Sequence, residues 1–103
     1  MATLETNEIP LNVEELKVLV ESGHQVDLLL EYRLDDLEGG YYYVFVSYLN
    51  GKMKRQVYSH RNKPRRFKDV GRAIDWGKKS GLVSCEVKVD FSIYKIRPNN
   101  DRN

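Results

Sequence analysis

Apolar positions along this chain switch between helical and strand spacing in a fixed order. Val13, Leu16, Leu19 and Val20 recur at helical intervals, which predicts a first helix over 13–22. Asn12 and Glu15 frame its start as a capping box: the Asn side chain accepts from a free amide and Glu15 reaches back to the cap. Gly23 ends it. From Val26 the period becomes two. Val26, Leu28, Leu30, Tyr32 and Leu34 share one face, and Asp27, Leu29, Glu31, Arg33 and Asp35 the other, the alternation of a half-buried strand.

Asp35-Asp36-Leu37-Glu38-Gly39-Gly40 is turn chemistry. A second strand follows over 41–49, dense in aromatic and β-branched residues. Asn50-Gly51 then predicts a hairpin, because a type I′ turn needs positive φ at both central residues. A third strand over 52–59 points Met53 and Val57 inward, with Lys52, Lys54, Gln56 and Tyr58 on its other face. His60 to Arg66 is a basic loop broken by Pro64. Asp69 caps a second helix that ends near residue 80, with Val70, Ala73, Ile74 and Gly77 facing a sheet. Gly71 and Gly77 inside it cost about 1 kcal/mol each relative to Ala, so close packing is expected against both. A last strand turns Cys85, Val87, Val89, Phe91 and Ile93 inward, which predicts a buried, inert thiol.

The order α-β-β-β-α-β predicts an α+β fold, a small antiparallel sheet with two helices packed on one face. Residues 12–97 read as a single domain, 1–11 as a flexible N-terminal arm and 98–103 as a frayed tail. The pattern alone does not place the last strand in the sheet.

Composition narrows the class. The 103 residues are 41% hydrophobic and 31% charged, which fits one globular domain and is too apolar for general disorder. A single cysteine forms no intramolecular disulfide. The start, MATLETNEIPLN, lacks a signal peptide's basic and apolar regions, and no apolar run approaches the ~20 residues of a spanning helix. The expectation is a cytoplasmic protein with no membrane association.

Charge adds more. Residues 1–40 carry two basic side chains against ten acidic ones, whereas residues 41–81 carry eleven basic against two acidic. The formal net charge of +2 therefore hides a strong dipole along the chain. Lys52, Lys54, Arg55, Arg61, Lys63, Arg65, Arg66, Lys68 and Arg72 crowd into one stretch, interleaved with Tyr58 and Phe67. Phosphate binding needs several cations on one surface, a two-stranded ribbon fits a major groove, and aromatic faces stack on bases. The candidate nucleic-acid contacts are thus Lys52, Lys54, Arg55, Tyr58, Arg61, Lys63, Arg65, Arg66 and Lys68. The plainer reading of the same run is a solvated surface partly neutralised by the acidic half.

Tyr41 and Tyr43 share a strand face with Phe45, and Glu31 and Asp35 lie outward on the first strand. These four residues, Tyr41, Tyr43, Glu31 and Asp35, are the candidates for a protein partner, and a tyrosine face covered by a second copy is the alternative. His24 and His60 lack neighbours at metal-ligand spacing, and there is no glycine-rich phosphate loop. No enzyme, metal or cofactor is expected.

Residues 63–94, KPRRFKDVGRAIDWGKKSGLVSCEVKVDFSIY, hold Pro64-Arg65-Arg66-Phe67, a helix with Ala73, then Gly81-Leu82 and a strand with Val87, Val89 and Asp90. This order resembles small ParC-like partition-associated proteins encoded on plasmids and other mobile elements, over about a third of the chain. The run Asn50-Gly51, Lys52, Lys54, Arg55, Phe67, Ala73 is also similar to the three-stranded DNA-binding domains at the N-termini of phage-type integrases. Together these imply a non-enzymatic accessory protein of a mobile element. It would bind nucleic acid, DNA in preference to RNA, through the basic hairpin and loop. The alternative is a protein–protein interaction module, an adaptor or an inhibitor of a nucleoprotein complex, using the acidic surface or the tyrosine-rich face.

Overall fold

A computed structural model describes residues 9–35, 39–59 and 61–94. The arm before residue 9, Asp36 to Glu38 of the acidic turn, His60 and the 98–103 tail lie outside the described residues, as does the side chain of Asp35.

The expected elements form, in an α+β domain. β1 (Leu11–Asn12) leads into α1 (Val13–Glu21), followed by β2 (Asp27–Asp35), β3 (Gly39–Tyr48) and β4 (Met53–Tyr58). Then come β5 (Arg66–Phe67), α2 (Val70–Lys79), β6 (Cys85–Val89) and a short 3-10 turn, Phe91–Tyr94. The capping box at α1 is complete: Glu15 N donates to Asn12 Oδ1 at 2.7 Å and Asn12 N to Glu15 Oε1 at 3.0 Å. Asp69 caps α2 by accepting from Gly71 N at 2.8 Å. The turn at Asn50-Gly51 has φ of 57° and 83°, with Lys52 N donating to Leu49 O at 3.1 Å, the geometry of type I′.

The sheet is mixed, correcting the expected antiparallel one. Its order is β1-β4-β3-β2-β6, with β5 also on β3. β2, β3 and β4 run antiparallel in turn, while β6 is parallel to β2 and β1 parallel to β4. The cause is the helices. A helical crossover returns the chain in the direction it left, so β6, reached from β4 through α2, runs with β4 and therefore with β2.

Both helices cover one face. Leu16 of α1 and Ala73 of α2 join Leu28, Leu30, Val44, Val46, Tyr48 and Val57 in the core. Gly77 is there for space: a Cβ on it would stand 2.7 Å from Leu28 Cδ2. Gly71 meets only its cap, Asp69, so the packing expected against it is not found. Gly39 and Gly40 belong to β3 rather than to a turn. The Tyr32 ring occupies the place of a Cβ on Gly40 and tilts against Tyr42 at 4.9 Å, an aromatic filling the gap that a strand glycine leaves.

Three further readings change. Leu11, assigned to the flexible arm, is 3% exposed; β1 ties it to Val57. The loop after β4 is a closed excursion of the strand. Arg65 N donates to Val57 O at 2.9 Å and Ser59 N to Lys63 O at 2.7 Å, after which β5 resumes pairing along β3. Cys85, expected to be buried, is exposed. It turns toward the helix face, but β6 is the last strand of the sheet among the described residues, and none of them packs beyond it. Partial burial still pushes its thiol pKa up, and Glu86 adds to the effect. Among the described residues, no helix is long and apolar enough to cross a membrane.

Candidate nucleic-acid interface

The face opposite the helices carries the odd-numbered side chains of β2 and β3 and the even-numbered ones of β4, β5 and β6. Register sets their neighbours. Arg33 lies across from Tyr41, Glu31 from Tyr43 and Leu29 from Phe45. Phe45 is opposite Gln56, Ser47 opposite Lys54 and Tyr43 opposite Arg66. On the far side Glu31 meets Lys88 and Leu29 meets Glu86.

Among the described residues no helix covers this face; cations do. Arg33 lies over Phe45 at 5.2 Å and Tyr43 at 5.4 Å, and Lys54 lies over Phe45 at 5.0 Å. Arg66 stacks on Tyr41 at 3.9 Å and donates from Nη1 to Tyr43 Oη at 3.1 Å. Lys68 is 5.0 Å from the Tyr41 ring. Each such contact contributes about 0.5–2 kcal/mol depending on desolvation. The aliphatic stems also shield the rings while the charged ends reach water, so Phe45 is only 8% exposed with no helix above it.

One carboxylate organises the middle. Glu31 accepts from Lys54 Nζ and from Arg33 Nη2, both at 2.9 Å. Its side chain is 15% exposed against 40% and 50% for its partners, so it lies beneath them and holds both over Phe45. Burial pushes the Glu31 carboxyl up, but the hydrogen bonds and charges of Lys54 and Arg33 outweigh that and hold it below its ordinary range.

The structure divides the basic run that the sequence groups together. Lys54, Arg66 and Lys68 converge on the aromatic row, and alternation places Tyr58 on the same face at its border. Lys52 is exposed in the hairpin turn, and Arg61 and Lys63 are exposed on the excursion. Arg55 faces the helices instead. Its Nε donates to Ile9 O at 3.0 Å, Nη2 to Pro10 O at 3.1 Å and Nη1 to Tyr48 Oη at 3.4 Å, so it fastens the segment that leads into β1. Arg65 also turns to the helix side, against Phe67 at 5.0 Å and Trp76 at 5.4 Å, and its buried Nε has no hydrogen-bond partner among the described residues.

The residues assigned to a protein partner are not a separate surface. Tyr41, Tyr43 and Glu31 belong to the same face as the cations, and Asp35 pairs with Gly39 through its backbone. Two cations escaped the sequence reading. Arg33 sits in the acidic half and Lys88 near the C-terminus; only the register of β2 against β3 and β6 brings them here. On α1, across the sheet, Glu14, Glu15 and Glu21 are exposed. Among the described residues, no group of three or more His, Cys, Asp or Glu is placed to hold a metal ion. Comparison with protein-family models, curated proteins and solved structures finds no match for this chain.

Proposed function

We propose that this chain binds single-stranded nucleic acid on the helix-free face of its sheet. The observation that carries this reading is the aromatic row Tyr41, Tyr43 and Phe45 overlaid by Arg33, Lys54, Arg66 and Lys68. Such a surface offers what an unpaired strand presents: cations for phosphates, and guanidinium and tyrosine planes for exposed bases. A duplex hides its base faces, so it would engage only the charge. Arg61 and Lys63 on the excursion extend the phosphate-binding surface beyond the sheet. DNA and RNA share this chemistry. The role of accessory protein to a plasmid or other mobile element rests on the likeness of residues 63–94 alone.

Fluorescence anisotropy with labelled single-stranded DNA, single-stranded RNA and duplex DNA, at about 50 mM salt, tests the binding. Single strands are expected to bind more tightly than duplex, and the Arg33→Ala, Arg66→Ala double variant to bind at least tenfold more weakly. Arg72→Ala, a cation of the same basic run carried on α2, should change affinity less than twofold. Absence of binding to any of the three would overturn the reading, as would equal losses from Arg72→Ala and Arg66→Ala. An acidic protein captured through Arg33 and Arg66, with no nucleic-acid binding, would assign the face to the protein–protein alternative. Partition or replication genes flanking this one would support the mobile-element role.

A further inference from the structure

Among the described residues, β6 ends the sheet with an unpaired edge whose sequence is complementary to itself. Leu28 N donates to Ser84 O at 2.8 Å, so alternation turns the backbone groups of Glu86 and Lys88 toward β2. Those of Cys85, Val87 and Val89 point outward, off the edge. All five residues are exposed, and Val87 and Val89 are 43% and 36% exposed. A free edge of this kind is a template for another strand, and proteins that do not use it usually blunt it.

We propose that β6 pairs antiparallel with β6 of a second copy about a two-fold axis through Val87. In that register Val87 meets its own counterpart as a hydrogen-bonded pair, and Cys85 meets the second copy's Val89. Glu86 falls opposite Lys88 of the second copy, and Lys88 opposite Glu86. These are the closer, non-hydrogen-bonded positions, where opposite charges stabilise an antiparallel pair. Neighbouring registers forfeit this match. Centring on Glu86 sets Glu86 against Glu86, and centring on Lys88 sets Lys88 against Lys88. Shifting by one residue sends each side chain to the wrong face. A two-fold closes the assembly and leaves no further β6 edge. Because the axis runs through the sheet, both helix-free faces end on one side of the dimer.

Light scattering or sedimentation without nucleic acid tests this at protein concentrations up to about 200 µM. The wild type is expected to show a dimer mass. Glu86→Lys alone and Lys88→Glu alone each place like charges opposite one another, and each should weaken dimerisation at least tenfold. Mixing the two variants should restore the dimer as a heterodimer, and the double swap Glu86→Lys, Lys88→Glu should restore the homodimer. Val87→Pro removes the central outward donor while sparing the bonds to β2, and should give a folded monomer by circular dichroism. A wild-type monomer at about 200 µM would overturn the proposal. So would a dimer unaffected by all of these changes, or two weakened single variants that fail to recover on mixing.

Discussion

Glu31 lies beneath Lys54 and Arg33 on the cation-covered face, and its protonation has a calculable consequence for stability. Its folded-state carboxyl ionises below the ordinary value of 4.5. A group whose pKa is lowered on folding contributes stability at pH above its unfolded value, and loses it as pH falls through the folded one. Urea unfolding should therefore show a loss of stability below about pH 4.5. Glu31→Gln should flatten that acid limb while lowering stability near neutrality. An acid limb unchanged in Glu31→Gln would mean that other carboxylates carry it. The sequence places Glu31 outward on a strand, which is correct. It does not reveal that the residue is a counter-ion for two cations, because Lys54 lies on a different strand, beyond the acidic turn and the hairpin, and only the sheet brings it near.

At the scale of elements, α2 opposes a local preference to a packing constraint. Helix propensity alone predicts that Gly77→Ala gains about 1 kcal/mol. The Cβ would stand 2.7 Å from Leu28 Cδ2, and overpacking of this kind costs about 1–3 kcal/mol. Denaturant unfolding should accordingly find Gly77→Ala less stable than wild type. Beside its pairing with β4, β1 gains from one side chain that holds the residues before it. Arg55 donates to the carbonyls of Ile9 and Pro10, and hydrogen bonds to a charged group contribute about 1.5–3 kcal/mol. Arg55→Ala should lower stability by about that much and speed hydrogen exchange at the Leu11 amide, whereas Lys52→Ala should do neither. The helix caps and the type I′ hairpin are legible because each is a local requirement of a few consecutive residues. The excursion between β4 and β5 is not. It forms because β5 returns to the edge of β3, a pairing that no window around Pro64 contains.

For the whole molecule, the charge split along the chain is kept only in part between the faces, because Arg55, Arg65 and the Arg72, Lys78 and Lys79 of α2 lie on the helix side. Exposed acids of α1 lie on the helix side, and Arg33, Lys54, Arg66, Lys68 and Lys88 lie on the other, with Asp27, Glu31 and Glu86 among them. If phosphates are bound there, log K should fall linearly with log salt, with a slope near about −0.7 per phosphate neutralised on a single strand. Arg33→Ala, Arg66→Ala should then make that slope shallower by about 0.7 for each phosphate left without its cation, whereas Glu14→Gln, Glu15→Gln should leave it unchanged. The sequence by itself determined the helices, the long strands, the hairpin and the face on which each strand residue lies, because those follow from side-chain period and from local φ and capping demands. Only the tertiary structure decided which cations meet the aromatic row, that Arg65 turns to the helix side, and that β6 closes the sheet with Cys85 exposed. These are matters of register and strand order between segments far apart in the chain, fixed by the helical crossovers and by burial of the shared core.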